Sequence, residues 1–322
     1  MTEAEYLRAL DAIEQQMARD YLAEAARITR DTTLAEVLAR IQAGNMLLAR
    51  DVFNGRYGKL AEDIRAAYLA GGNAEAASLR RVEFDIQRAS AQAWINQLQA
   101  DAIQVIAREQ GDVIQAVISH GQEIGIAPPR IARNLLGMMG SNGERTGGVV
   151  GLTGQDVQWL NNTRTQLASG DPSLMRDYFQ RVRRDKRYDG IVERAIEAGR
   201  PVNTADIDKI TQRYAERLLS TRADTVASIQ ALEAYNAGRN QLYRQLVEDG
   251  MDPAKITKRW KTRADEKVRA SHRAMDGQTK PGDAPFVTPR GALMMNPGDS
   301  SMGAPMSEIA RCRCRAVYSL AK

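Results

Sequence analysis

Apolar residues recur every three or four positions at the start of the chain. In the opening segment these positions are Tyr6, Leu10, Ile13, Met17 and Tyr21. The spacing places all of them on one face of an α-helix, so it predicts an amphipathic helix with that face buried. Ala, Leu, Glu, Gln and Arg dominate this half of the sequence, and this composition favours helices over sheets.

Further helices are predicted up to residue 136. Thr33 is placed to cap a second helix that carries Val37 and Ile41. Gly71-Gly72-Asn73 predicts a turn, and a long helix is expected from about residue 74 to residue 120. We therefore predict that the N-terminal part is a helical bundle or a long helical hairpin.

A glycine-rich run follows Pro128-Pro129, which interrupts the helical pattern. A phosphate-binding loop would need Lys and Ser or Thr directly after its last glycine, but Gly154 precedes Gln155-Asp156. The glycine spacing of a dinucleotide-binding fold is also absent. We interpret residues 137–156 as a glycine-rich linker or loop.

The second half of the chain is predicted to be helical first and rich in turns and strands afterwards. The helix predicted over residues 213–250 carries Arg222, Glu233 and Asn236 on its apolar face. Buried polar groups need partners, so we expect these three to reach loops packed over the helix, with a polar active cleft as the alternative. The predicted fold class is mainly α with a small α+β C-terminal domain. The predicted divisions are a helical N-terminal domain over 1–136, the segment 137–156, and a C-terminal domain over 157–322 that is helical at 157–250 and turn- and strand-rich at 251–322.

Charge permits contact with nucleic acid without requiring it. The 322 residues include 45 basic and 40 acidic side chains, which are interspersed and leave a net charge of +5. Two basic clusters, at residues 181–187 and 255–263, could neutralise a phosphate backbone, although a solvated helical face is the interpretation that we prefer. In the first cluster the candidate DNA contacts are Arg183, Arg184, Lys186 and Arg187.

Hydropathy indicates neither a membrane span nor a secretory signal. No stretch approaches the roughly 20 apolar residues that would cross a bilayer. The acidic start of the chain lacks the basic and apolar segments of a signal peptide. We therefore expect a protein that folds in a cytoplasm.

The two cysteines of the chain, Cys312 and Cys314, lie near its end. Alternation predicts a terminal strand with both thiols on one face and Arg311, Arg313 and Arg315 on the other. A disulfide between the two would close a strained ring. We expect reduced, buried, structural thiols. A zinc site with His272 is an alternative, with Asp265, Asp276 or Asp299 as fourth ligand, although zinc-binding cysteines are usually further apart in sequence. An intermolecular disulfide is a further possibility.

Seven short motifs follow one another between residues 258 and 318. They are Trp260, the block of Asp265, Arg269 and His272, the pair Asp276-Gly277, Phe286, Gly291, the turn Pro297-Gly298-Asp299, and Cys312-Arg313-Cys314. In this order they resemble the C-terminal domain of the phage Mu F-like head morphogenesis family. The segment 234–238 is similar to the family's preceding helix, whereas Ser228-Ile229-Gln230 departs from the Arg-Thr-Glu run expected there. The resemblance covers roughly residues 147–322.

The resemblance implies a low-copy structural minor head protein of a tailed phage. Its implied partners are the portal protein and other head proteins, with non-specific contact to packaged DNA and possible ejection with that DNA. The apolar stripes of the N-terminal helices are expected to dock against helices of such a partner. The implied location is the head interior near the portal, after assembly in the host cytoplasm.

The resemblance implies no catalysis, and apart from the zinc alternative we expect no cofactor. The residues agree, because neither a metalloprotease His-Glu-x-x-His nor a nucleophile elbow occurs in the sequence. Two alternatives stay open: an ADP-ribosyltransferase-like or other enzyme module carried in the virion, and a DNA-binding internal head protein without a portal role.

Overall fold

Helices form most of the structure, a computed structural model that describes residues 2–43, 57–79, 82–140 and 143–321. Small antiparallel sheets lie mainly toward the C-terminus, so the predicted fold class is confirmed. The helices are α1 Glu3–Asp31, α2 Leu34–Gln42, α3 Gly58–Ser78, α4 Ala89–Glu123, α5 Pro128–Leu136, α6 Gly154–Ala168, α7 Pro172–Arg176, α8 Asp189–Glu197, α9 Thr204–Glu248, α10 Ala270–Met275 and α11 Met306–Ile309. Of the described helices, none combines the length and the apolar character that crossing a membrane requires.

Within the described residues, each strand pairs antiparallel with its neighbours. They are β1 Met138–Met139, β2 Arg145–Thr146, β3 Ile256–Lys261, β4 Thr279–Pro281, β5 Phe286–Val287, β6 Leu293–Met294 and β7 Arg315–Leu320. β1 pairs with β2 and β5 pairs with β6, while β3 is the central strand of the sheet β4-β3-β7. Trp260 of β3 lies opposite Ala316 of β7, so the terminal strand closes this sheet.

Contacts divide the chain into two units, each built from separate segments. Unit 1 comprises Met1–Asp20, Gly58–Ile103 and Asp224–Lys322, and unit 2 comprises Tyr21–Tyr57 and Gln104–Ala223. The core of unit 2 includes Leu167, Met175, Tyr178 and Val192. The domain boundaries predicted at residues 136 and 156 stay a prediction.

Local signals placed some helix ends correctly. Thr33 is the N-cap of α2, and its side chain accepts a hydrogen bond from the Glu36 backbone N–H at 3.1 Å, as predicted. Pro128, predicted only to interrupt the helical pattern, in fact begins α5, where its missing N–H is tolerated because the first turn of a helix leaves that group unpaired.

The turn predicted at Gly71-Gly72-Asn73 is wrong. These residues lie inside α3, which ends at Ser78, and the predicted helix over 74–120 falls instead on the end of α3 and on most of α4, which begins at Ala89. A Cβ at Gly71 would overlap the Tyr235 carbonyl of α9, and a Cβ at Gly238 would overlap the Tyr68 carbonyl of α3. The glycines therefore allow two helix backbones to touch, and this packing outweighs their low helix propensity.

The apolar stripe at the start of α1 is part of the core of unit 1. Tyr6 and Leu10 are fully buried. The Tyr6 hydroxyl donates to the Asn236 Oδ1 atom at 3.2 Å or to the Cys314 carbonyl at 3.1 Å. The expectation that this stripe is free to dock against a partner is therefore wrong for the part of α1 in unit 1, because the chain's own core covers it.

The polar residues predicted on the apolar face of α9 find different kinds of partner. Glu233 accepts hydrogen bonds from the Ser300 backbone N–H at 2.8 Å and from the Ser300 hydroxyl at 2.5 Å. The Asn236 side chain donates to the Pro297 carbonyl at 2.9 Å. The predicted contacts with loops are thus confirmed for Glu233 and Asn236. Arg222 differs, because it forms an ion pair with Glu109 of helix α4.

Parts of the glycine-rich segment 137–156 pack within unit 2. β1 and β2 form a short hairpin, and residues 149–152 are buried. The Gly151 carbonyl accepts a hydrogen bond from the Tyr21 hydroxyl at 2.9 Å, and its N–H donates to Gln110 at 2.5 Å.

Candidate metal centre

Trp260 is the central aromatic residue of the C-terminal part of unit 1. Alternation along β3 turns its ring inward, where it is fully buried. It meets the His272 ring edge-on at a centroid distance of 5.1 Å and the Phe286 ring edge-on at 5.2 Å. Trp260 therefore fixes one side of the His272 imidazole.

The Asp276-Gly277 turn holds helix α10 against the end of β3. Asp276 Oδ1 accepts from the backbone N–H and the hydroxyl of Thr262 at 2.7 and 3.0 Å. The Gly277 N–H donates to the Trp260 carbonyl at 2.9 Å. The φ of Gly277 is +84°, a left-handed conformation that glycine adopts without steric penalty in a turn. The turn thereby sets the position of His272 on α10.

Arg269 holds the backbone that leads to the cysteines. Its guanidinium donates to the carbonyls of Glu308 and Ala310. Arg311 follows with a φ of +55°, a left-handed conformation that is costly for a residue with a Cβ. Cys312 and Cys314 follow, and both precede β7, which begins at Arg315. Both thiols point inward, as the alternation predicted.

His272, Cys312 and Cys314 form a buried cluster. Their side-chain nitrogen and sulfur atoms all lie within 4.8 Å of one another. His272 Nδ1 is 3.5 Å from the Sγ of Cys312 and 3.6 Å from the Sγ of Cys314. The Cys314 backbone N–H donates to the Cys312 Sγ at 3.4 Å.

The two thiols differ in acidity. A hydrogen bond from the Cys314 thiol, supported by His272, holds the pKa of Cys312 well below its usual range against the opposing effect of burial. The adjacent Cys312 sulfur, together with burial, raises the pKa of Cys314. The cluster therefore favours a thiolate at Cys312 and a protonated thiol at Cys314.

Glu308 lies on the opposite side of the imidazole and is also buried. Its Oε2 atom is 3.1 Å from His272 Nε2, although the ring N–H direction is not aligned with this oxygen. The Ser271 hydroxyl donates to the same Oε2 at 2.7 Å. Nothing in the sequence pattern links Glu308 to His272, and only the fold brings them together.

A cavity of about 670 Å³ within unit 1 borders the cluster. Its lining includes His272, Cys312 and Cys314 together with Asp265, Arg269 and Asp224. The cluster therefore has a route to solvent despite the burial of its side chains.

The three predicted fourth ligands have other contacts. Asp276 holds the turn described above, and Asp299 accepts from the backbone N–H groups of Met295 at 2.6 Å and Ser301 at 2.9 Å. Asp265 borders the cavity but accepts from the Lys267 N–H at 3.0 Å and pairs with Arg263 at 3.3 Å. None of the three belongs to the cluster of His272 and the cysteines.

The remaining motif residues shape turns or the core. Phe286 is fully buried. Gly291 and Gly298 have φ values of +82° and +89°, where glycine carries no steric penalty. The carbonyl of Pro297 accepts the hydrogen bond from Asn236.

The predicted DNA-contact residues lie around two carboxylates in unit 2. Arg184 pairs with Asp189 at 3.0 Å, and Arg187 pairs at 2.6 Å with Asp185, whose side chain is almost fully buried. The hydrogen bonds from the Arg187 side chain and backbone N–H, together with the nearby Arg217 charge, hold the pKa of Asp185 well below its usual range.

The other residues of the basic clusters differ in accessibility. The Arg183 guanidinium donates to the Thr221 hydroxyl at 2.9 Å, while Lys186 is exposed. In the second cluster Lys258 is fully buried and donates to the Met295 carbonyl at 2.8 Å, so it is not accessible to DNA.

Comparison with known protein families gives one match. Residues 190–317 match the family described as phage Mu protein F like protein. The matched range contains every motif from Trp260 to Cys314 on which the resemblance was based, and it supports a role in phage head morphogenesis. Searches of curated proteins and of solved structures each gave no match. Residues 190–317 of this chain are therefore similar to the phage Mu protein F like family.

Proposed function

We propose that the chain is a structural minor head protein of a tailed phage, without catalytic activity of its own. The observation that carries this proposal is the family match over residues 190–317. The protein enters the head during assembly through contacts with other head proteins near the portal, and it leaves with the DNA on ejection.

The contacts of the motif residues support a structural role. Asp276, Asp299 and Arg269 each bind backbone groups of neighbouring turns. Polar side chains used in this way hold loops in place. A catalytic role would instead leave them directed at a substrate.

Copy number in the particle tests the proposal directly. Quantitative mass spectrometry of purified virions and of DNA-free proheads is expected to find a few copies of the chain in both. Absence from both particles would refute a head role. Presence in virions but not in DNA-free proheads would instead favour the internal DNA-binding protein. Ejection is tested by comparing the copy number in full particles with that in particles that have released their DNA.

The segment 181–187 allows protein and DNA contacts to be separated. Val182 is 90% exposed, and Lys186 is exposed close by. An exposed apolar side chain can be covered by a protein partner and gains nothing from a phosphate, whereas an exposed lysine contributes to phosphate binding. Val182→Asp is expected to reduce incorporation into DNA-free proheads. The matched variant Lys186→Gln is expected to incorporate normally and to weaken only salt-sensitive DNA retention. The reverse result would indicate that DNA, and not protein, recruits the chain.

A further inference from the structure

We propose that His272, Cys312 and Cys314 bind a zinc ion, through His272 Nδ1 and the two Sγ atoms. The three side chains are at most 3% exposed, and their ligand atoms face one another within 4.8 Å. Imidazole nitrogen and thiolate sulfur are the ligands that zinc prefers in proteins.

The distances match a tetrahedral centre. With Zn–S bonds of about 2.3 Å and Zn–N bonds of about 2.0–2.1 Å, a nitrogen and a sulfur on one tetrahedral edge lie about 3.6 Å apart. The observed separations of His272 Nδ1 from the two sulfurs are 3.5 and 3.6 Å. A hydrogen bond explains one of these contacts but not both, because Nδ1 has either one proton or one lone pair. Two equal contacts fit three ligands that face a common point.

The groups around the cluster support metal binding. Glu308 is buried beside His272 Nε2 at 3.1 Å and is oriented by the Ser271 hydroxyl. A negative charge close to Nε2 favours the tautomer that carries its proton there, and this tautomer leaves the Nδ1 lone pair free to bind a metal. The backbone N–H of Cys314 donates to the Cys312 sulfur at 3.4 Å, which stabilises a thiolate there.

The short spacing of the cysteines is compatible with this geometry. His272 Nδ1 lies 3.5 Å from the Sγ of Cys312 and 3.6 Å from the Sγ of Cys314, so both sulfurs already face the same imidazole nitrogen. The tight turn that usually separates two zinc-binding cysteines is therefore not needed. Since Asp265, Asp276 and Asp299 are outside the cluster, a water molecule from the adjoining cavity completes the coordination.

Zinc would connect helix α10 to the segment that leads into β7. These elements are 40 residues apart in sequence, as measured from His272 to Cys312. A metal that binds the folded state and not the unfolded chain stabilises the fold. Removing zinc with a chelator is therefore expected to lower the Tm of the protein.

The composition of the chain makes the test unambiguous. The sequence contains two histidines and two cysteines in total, so His120 is the one other histidine. The full chain, without a histidine tag, is purified under reducing conditions in the absence of chelator, and its zinc content is measured by mass spectrometry. We expect one zinc per chain. Cys312→Ser, Cys314→Ser and His272→Gln should lose it, and the matched control His120→Gln should keep it.

Cobalt substitution gives a second readout that does not depend on any variant. Co²⁺ bound tetrahedrally by thiolates has a sulfur-to-metal charge-transfer band, which can arise here only from Cys312 and Cys314. We expect this band in the wild type. Glu308→Gln is expected to retain the band and to weaken metal affinity by about 10–100-fold.

Two results would overturn the zinc site. One is folded wild-type protein with reduced thiols that contains no zinc and shows no cobalt band. The other is stoichiometric zinc in the Cys312→Ser, Cys314→Ser double variant. If the ligand variants fail to fold, the cobalt titration of the wild type decides the question.

Discussion

Glu75 of α3 and Arg239 of α9 form an ion pair in the interior of unit 1, with Arg239 Nε 2.7 Å from Glu75 Oε2. The other guanidinium nitrogens donate to the Ala316 carbonyl at 2.9 Å and to the Asn236 Oδ1 atom at 3.3 Å. The Tyr243 hydroxyl donates to the second Glu75 oxygen at 2.7 Å. One buried arginine therefore connects two helices to the terminal strand.

Removal of one partner of this pair is expected to be strongly destabilising. Glu75→Ala leaves the Arg239 charge buried without its carboxylate, and we expect the free energy of unfolding to fall by about 3–5 kcal/mol. The measurement is urea denaturation of the full chain. Lys209→Ala, which breaks an exposed pair with Asp206, is the control and should cost about 0–1 kcal/mol. Equal losses in the two variants would contradict this role of the buried pair.

The glycine contact between α3 and α9 predicts a second effect. In Gly238→Ala the new methyl group overlaps the Tyr68 carbonyl, so the two helices must separate. We expect a loss of about 1–3 kcal/mol, the usual cost of overpacking, despite alanine's higher helix propensity. Gly58→Ala is the matched control, because its new methyl group meets no atom within 4 Å. A Gly238→Ala variant more stable than the wild type would show that the helices do not meet here.

Substitutions at Gly277 test how much the backbone conformation of the Asp276-Gly277 turn contributes to stability. No atom lies within 4 Å of a Cβ placed on it, so a substitution is penalised only by the φ of +84°. We expect Gly277→Ala to lower the free energy of unfolding by about 1–2 kcal/mol, and Gly277→Val to lower it further and to reduce assembled heads. Gly277→Asn should cost less than alanine, since asparagine tolerates left-handed backbone. Calorimetry of the three variants checks this order, and equal melting would refute it.

Glu233 makes stability depend on pH. Burial raises the pKa of its carboxyl from about 4.5 to about 7, in spite of the hydrogen bonds from Ser300. The folded state therefore binds a proton that the unfolded chain releases between these values, and stability falls as pH rises through this window. Above pH 7 the free energy of unfolding has fallen by about 3 kcal/mol in total, because each unit of pKa difference corresponds to 1.36 kcal/mol.

The control for this effect is Glu233→Gln, which keeps an oxygen that can accept from Ser300 but has no proton to lose. Unfolding is measured by urea between pH 4 and pH 8. The difference in stability between wild type and variant should change across this range, in favour of the variant at high pH. A constant difference would mean that Glu233 titrates as it does in the unfolded chain.

The sequence by itself determined the features that depend on near neighbours. Helical periodicity, the Thr33 cap, the positive φ of Gly277 and the inward direction of Cys312 and Cys314 all follow from residues a few positions apart. The order of motifs from Trp260 to Cys314 was enough to indicate the family that matches residues 190–317. These features can be recognised in the sequence alone, because helix propensity, turn chemistry and the alternation of apolar and polar residues are local properties.

The tertiary structure decided what depends on partners far apart in the chain. Gly71 is helical because α9 packs against it, and the apolar face of Tyr6 and Leu10 belongs to the chain's own core. The placement of Glu308 beside His272, and of both thiols at one imidazole nitrogen, likewise has no counterpart in local pattern. Packing energy and the pairing of buried polar groups act between segments tens to hundreds of residues apart, so only the folded chain sets them.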